Sequence, residues 1–255
     1  MKSGFKKNII YGALVLVLFF VEGVVTEVEA IPLPNIQVGF EDADDHGKVS
    51  SALQILILLT VLTLAPAILI MTTSFARIII VLSFLRQAMG TQQTPPTQIL
   101  IGLALFLTMF VMGPVWDEIN ERALKPYMEE ELNQFEALKL AEVPIKSFML
   151  SHTREKDLSL FVNLSDDKNP KSAEDINIKT VVPAFIISEL KTAFQVGFLI
   201  YIPFLILDMV VASILLSMGM MMLPPVLISL PFKLMLFVMV DGWYLTVGSL
   251  MKSFS

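Results

Sequence analysis

Met218-Gly219-Met220-Met221-Met222-Leu223-Pro224-Pro225 breaks a membrane-grade apolar run with flexible thioethers, one glycine and two prolines. Glycine ends a helix cheaply because it tolerates the left-handed conformation, and proline opens the next because its missing N–H would be unpaired there anyway. The stretch therefore predicts the turn of a helical hairpin. The same spacing, M-G-x4-P-P, occurs in Met89-Gly90-Thr91-Gln92-Gln93-Thr94-Pro95-Pro96, again between apolar blocks. Two hairpins in parallel topology explain the recurrence; so does independent use of common cap residues.

Working outward from these turns, four apolar blocks are expected. Ala52 to Met71 is free of charge, and Ile78 to Leu85 extends it past Arg77, as one kinked helix or as a helix pair. Thr97 to Trp116 is the second block, Ala184 to Met218 the third and Val226 to Leu250 the fourth. At helical rise, about 20 residues cross the roughly 30 Å of hydrocarbon in a bilayer. The fold class is thus an all-α membrane protein of two broken helical hairpins, residues 52–116 and 183–255. Between them, residues 117–182 form a small polar extracytoplasmic subdomain.

Composition supports this class. Of 255 residues 55% are hydrophobic and 16% charged, with mean hydropathy +0.72, more apolar surface than one soluble core hides. There is no cysteine, which removes disulfides, thiolate catalysis and cysteine metal sites. The two histidines, His46 and His152, lie in polar segments and predict no buried metal centre; no cofactor is expected. A net charge of −6 without clustered Lys and Arg argues against a nucleic-acid partner.

Residues 1–30 have the plan of a signal peptide: Lys2, Lys6 and Lys7, then the apolar Ile9 to Val21, then Val28-Glu29-Ala30. A retained first span is the other reading. Residues 31–51 follow as an extracytoplasmic lead, with Glu41, Asp42, Asp44 and Asp45 against Lys48. The polar stretch Asp117 to Lys179 holds 14 acidic and 9 basic residues and is too charged for lipid. Within it, Glu129-Glu130-Glu131-Leu132 with Phe135, Leu138 and Leu140 carries a loose helical stripe, and Asn163 to Asn177 suggests a loop.

Orientation is expected from Arg77 and Arg86, which bracket the approach to the first turn and place it in the cytoplasm by the positive-inside bias. Counting spans then places the second turn there too and the polar subdomain and C-terminus outside. Inside the last two blocks lie Glu189, Lys191, Asp208, Lys233 and Asp241, which together with Arg77 are the candidate intramembrane polar or assembly residues. Each charge at mid-membrane costs at least about 2.5 kcal/mol, so these groups should face protein or water. Glu189 and Lys191, two residues apart, do not share a helix face, which favours pairing between helices or subunits. Glu189, Lys191 and Asp241, nearer block ends, are also placed to snorkel to headgroups. The thioethers of Met220, Met221 and Met222 suit either a compliant constriction or gap-filling between helices.

Several longer stretches carry a resemblance. Pro183-Ala184-Phe185-Ile186-Ile187-Ser188-Glu189-Leu190-Lys191-Thr192-Ala193-Phe194-Gln195-Val196-Gly197-Phe198 resembles the first signature of the FliP family of flagellar export-gate proteins. Pro203-Phe204-Leu205-Ile206-Leu207-Asp208-Met209-Val210-Val211-Ala212-Ser213, leading into the methionine turn, resembles the second. Thr73-Ser74-Phe75-Ala76-Arg77-Ile78-Ile79-Ile80-Val81-Leu82 and Asp241-Gly242-Trp243 are similar to further family stretches, so the likeness runs from about Leu53 to Leu250. Val196 departs from the Ile or Met expected there, and the polar stretch carries no family signature.

The resemblance implies a non-enzymatic, pore-forming core subunit of the flagellar type III export gate. Such a subunit passes unfolded flagellar proteins across the bacterial inner membrane at the basal body, with the polar subdomain periplasmic. It implies a homo-oligomer, a pentamer, assembled with FliQ and FliR and adjoining FlhB and FlhA. It assigns a methionine gasket to Met220, Met221 and Met222, with Gly219, Pro224 and Pro225 supplying the bend. A virulence-type (injectisome) secretion subunit needs the same gate and is the alternative. An intramembrane aspartyl protease would need convergent carboxylates, yet Val240-Asp241-Gly242 lacks the Gly-x-Gly-Asp pattern of such enzymes. A small-solute transporter fits broken helices, but the chain is short for a self-contained path.

Overall fold

The computed structural model describes residues 45–254 apart from Gln92, residues 166–171, residues 173–174 and Met221. The expected signal peptide, the lead as far as residue 44 and the centre of the 163–177 loop lie outside the described residues. The chain divides into two compact units, Met1–Leu58 and Leu59–Ser255. Of the first, the described part is the opening of helix α1 (Asp45–Thr72); the rest of the fold belongs to the second.

The apolar blocks become helices, with both turns where predicted and one further break, in block four, that was not expected. Block one is a helix pair: α1 ends at Thr72 and α2 (Phe75–Ala88) starts after Thr73 and Ser74. Block two is α3 (Thr97–Ile119), continued by a π-helical turn, Asn120–Leu124, and a short α4 (Lys125–Met128). Block three lies within the 40-residue α7 (Ile178–Ser217), which runs unbroken through Pro183 and Pro203. Block four is two helices, α8 (Pro225–Met239) and α9 (Gly242–Lys252), bent by 64° at Val240 and Asp241. Asp241 makes that corner in the left-handed conformation at φ 51°. Three of these stretches, Ile55–Thr72, Thr97–Met128 and Ile178–Ser217, are long and apolar enough to cross a membrane, and the α8–α9 pair is a fourth if counted as one broken span.

Both turns are built as the glycine and proline spacing predicts. Gly90 and Gly219 take φ of +76° and +75°, which closes α2 and α7. At the second turn the amides of Gly219 and Met220 donate to the carbonyls of Leu216 and Leu215, each at 3.0 Å, the paired bonds of a Schellman end. At the first, Gly90 donates likewise to Gln87 at 3.0 Å, while the Thr91 hydroxyl takes up the Arg86 carbonyl. Pro96 and Pro224 then precede the first turns of α3 and α8.

The polar segment departs from the expected stripe. Glu129 to Leu132 form a turn, with Glu130 at φ 58°, and helix α5 (Gln134–His152) starts only at Asn133. There the Asn133 side chain accepts from the Glu136 amide at 3.0 Å and the Glu136 carboxylate accepts from the Asn133 amide at 3.1 Å, a reciprocal cap that outcompetes the acidic run for the helix start. Phe135 and Leu138 are exposed, and α5 buries Pro144, Phe148 and Met149 instead. Helix α6 (Glu155–Leu164) follows, and α5 and α6 both pack on α7.

Helix α2 sits at the centre, packed on α3 and α7. One core cluster joins its Ile78, Val81 and Leu82 to Leu100, Ala104, Ala193 and Leu250. A second joins Met112 to Phe148, Met149, Val181 and Phe185. A third joins Leu85, Ala88 and Met89 to Phe204 and Phe237. The order of these partners means that α2 and α7 run side by side in the same direction, as two parallel hairpins require. Their approach is closest at Gly197, where a Cβ would lie 2.6 Å from Cδ2 and 2.7 Å from Cγ of Phe84. Gly197→Ala gains about 1 kcal/mol of helix propensity but incurs about 1–3 kcal/mol of overpacking. Because the clash reaches the root of the ring, thermal unfolding in detergent is expected to show a less stable variant, and Phe84→Ala in the same chain, which removes Cγ and the ring, to restore part of the loss.

Candidate functional site

The charges inside the apolar blocks resolve into two pairs held on α7. Near its start, Glu189 is wholly buried and Arg77 of α2 is 3% exposed. Arg77 Nε donates to Glu189 Oε2 at 2.8 Å and Nη2 donates to Oε1, the two-pronged geometry that a guanidinium and a carboxylate share. The remaining edge of Arg77 is also used: Nη1 donates to the Ser253 carbonyl at 2.9 Å and to its hydroxyl at 3.0 Å, and the Phe254 ring lies 3.9 Å from Cζ. Each guanidinium nitrogen is bonded and four of its five N–H groups are paired, which is how a buried charge is tolerated.

Next to Glu189, Ser188 ties α6 to the same place. Its hydroxyl donates to Asp157 Oδ2 at 2.7 Å and accepts from the Arg154 amide at 3.0 Å, while Arg154 Nη2 lies 3.2 Å from Asp157. Asp157 also sits in the first turn of α6, where a negative charge opposes the helix dipole favourably.

The second pair lies 19 residues farther along α7, about 28 Å at helical rise. Lys233 Nζ of α8 donates to Asp208 Oδ2 at 2.6 Å, and Ser229 Oγ, one turn earlier on α8, donates to Oδ1 at 2.5 Å. Lys233 is 2% exposed. Spacing of four residues puts Ser229 and Lys233 on one face of α8, so both reach the same carboxylate. The first turn closes over this pair, since a Cβ on Gly90 would sit 3.8 Å from Lys233 Nζ.

Pairing between helices is therefore found for Glu189, Asp208 and Lys233, and snorkelling is excluded for Glu189. Lys191 and Asp241 are exposed and join neither pair. The orientation argument loses one of its two arginines: Arg77 stands at the far end of α2 from the Met89 turn, about 18 Å away, with its charge spent on Glu189. Arg86 does flank that turn and donates to Thr97 Oγ1 at 2.9 Å. Sequence reasoning missed Arg77 as the partner of Glu189, although an arginine between Phe75 and Ile78 in an apolar run was the available signal. Ser229, Ser253 and Phe254 carried no signal of their own.

At the tip of the second hairpin, Met222 is 98% exposed, with Met218 and Met220 also exposed; Met221 lies outside the described residues. Gly219 and Pro224 shape the turn and Pro225 opens α8. No group of His, Asp and Glu able to hold a metal ion is found among the described residues.

The FliP family profile matches residues 58–250, which contain both ion pairs and both turns. The chain belongs to the FliP family. Flagellar biosynthetic protein FliP of Bacillus subtilis (strain 168) is 61% identical over 220 residues, 86% of this chain and 100% of the relative. The protein of that name from Aquifex aeolicus (strain VF5) is 51% identical over 228 residues, 88% of this chain and 92% of the relative. That of Pectobacterium carotovorum subsp. carotovorum is 48% identical over 247 residues, 96% and 92% respectively. As a FliP-family member with several membrane-length helices, the chain is a membrane-embedded flagellar biosynthesis protein of the export apparatus.

Removing one partner of a buried pair leaves the other uncompensated, at about 3–5 kcal/mol. Asp208→Ala is expected to destabilise the FliP-family fold by that much in thermal unfolding, and Asp208→Leu combined with Lys233→Met to recover most of it. Alanine at the exposed Asp117 or Glu129 should leave stability and export unchanged; equal sensitivity at both sets of positions would contradict the role given to the pairs.

Proposed function

We propose that this chain is a pore-forming core subunit of the flagellar type III export gate, with a constriction lined by Met220, Met221 and Met222. The observation that carries the reading is the exposure of Met222 at the tip of a hairpin whose arms are fastened by Lys233–Asp208 and Ser229–Asp208. A rigid stalk with a soft tip is what a gate needs. Thioether side chains are unbranched and adapt to irregular shapes, so a ring of them from several copies closes on itself when empty. The same ring parts around a passing polypeptide without selecting its sequence.

The remaining surface favours assembly. Apolar side chains stand exposed along α1, on α3 at Phe106, Met109 and Phe110, and on α7 from Phe194 to Ile214; exposed apolar area on this scale suits lipid or other subunits. On the family likeness we assign the chain to a homo-oligomer, a pentamer, with FliQ and FliR and adjoining FlhB and FlhA. We assign it to the bacterial inner membrane, with residues 117–182 periplasmic and unfolded flagellar proteins as cargo. Lys191, exposed on α7, and Asp241, exposed at the α8–α9 corner, are the charges placed to meet such neighbours.

The test is ion leak. Replacing Met220, Met221 and Met222 together with Ala in the assembled complex is expected to raise proton or small-ion conductance several-fold while the complex still assembles. An assembled complex with unchanged leak and normal export would overturn the gasket.

A further inference from the structure

The two residues that follow α9 are firmly placed. Ser253 and Phe254 make contacts to three separate parts of the fold. Ser253 accepts both Nη1 bonds of Arg77. The Phe254 ring covers the Arg77 guanidinium at 3.9 Å on α2 and lies 5.5 Å, centroid to centroid, from the His152 imidazole that ends α5. It also packs against two core clusters, the one around Leu82 and Leu100 and the one around Phe148 and Phe185.

These two residues follow directly on α9, the helix reached through the left-handed Asp241 and the 64° bend. The bend itself needs Gly242, whose Cβ would fall 2.2 Å from the Phe237 ring. We infer that Ser253 and Phe254 form a strap that fastens the folded-back helix α9 to the Arg77–Glu189 pair and to α5. The guanidinium has the geometry for this double duty. Its Nε and Nη2 edge faces Glu189, whereas the tail uses Nη1 and the flat face. The strap therefore releases α9 without breaking the ion pair, which makes it a conformational latch separate from the structural clamp.

Lys252, exposed in the last turn of α9, supplies a reporter, because trypsin cutting after it separates Ser253 and Phe254 from α9. The full-length chain in mild detergent is digested and followed by intact mass. In the wild-type chain the cut is expected to be slow. Phe254→Leu, which removes the ring, and Arg77→Lys, which keeps a charge for Glu189 but lacks Nη1 and the flat face, should each speed it at least tenfold. Cuts at the exposed Arg122 and Lys139 should keep their wild-type rate. A Lys252 cut equally fast in all three chains, or one accelerated only in step with Arg122 and Lys139, overturns the strap.

Discussion

A carboxylate shut away from water inside an apolar protein is tolerated only if its oxygens are answered by donors, and Glu189 has Arg77 to answer it. The rest of the structure is arranged around that need. Arg77 reaches Glu189 only if α2 lies along α7 at the close approach that Gly197 permits. This places Leu85 and Met89 against Phe204 and sets the first turn over Lys233. The second pair, Asp208 with Lys233, repeats the device about 28 Å along the same helix. Two acids on one long helix thus draw in a base from each hairpin, and neither hairpin is free to slide.

The same logic explains which parts of this architecture were legible in the sequence. The turns were, because Gly90 and Gly219 have few substitutes at positive φ and Pro96 and Pro225 stand where the next helix opens and an amide has no partner to lose. The need of Asp208 and Lys233 for partners was legible from the cost of burying charge. Their identity was not, since pairing joins residues 25 apart and, for Arg77 with Glu189, 112 apart. Arg77 misled for a physical reason: an arginine near a turn and an arginine in a buried pair look alike in one dimension, and only the packing of α2 tells them apart. The acidic run at Glu129 misled because the apolar stripe of Leu132, Phe135, Leu138 and Leu140 was weighed without the Asn133 and Glu136 cap that sets where α5 begins. The corner at Asp241 was missed because Asp241 was weighed as an intramembrane charge and not as the start of an Asp-Gly turn with Gly242.

Rigidity and softness are divided cleanly along the second hairpin. Below the turn, Asp208, Ser229 and Lys233 fix the relation of α7 to α8. Beyond them the side chains are Met218, Met220, Met222 and Leu223, all exposed and none hydrogen-bonded through the side chain. Membrane helices associate without a hydrophobic gain over lipid, so polar ties such as these supply the specificity that packing alone does not. The exposed faces of α1, α3 and α7 leave the subunit unfinished by itself, in keeping with a part of a larger export apparatus.

Because the chain has no cysteine of its own, a single Met222→Cys gives the most direct test of whether the turns of neighbouring copies converge. In the assembled complex, mild oxidation should join copies through Cys side chains into dimers on a denaturing gel, and lipid-soluble maleimides should label them poorly. Copies that stay separate under oxidation and are labelled readily from the lipid would place the thioethers away from any shared axis and contradict the account.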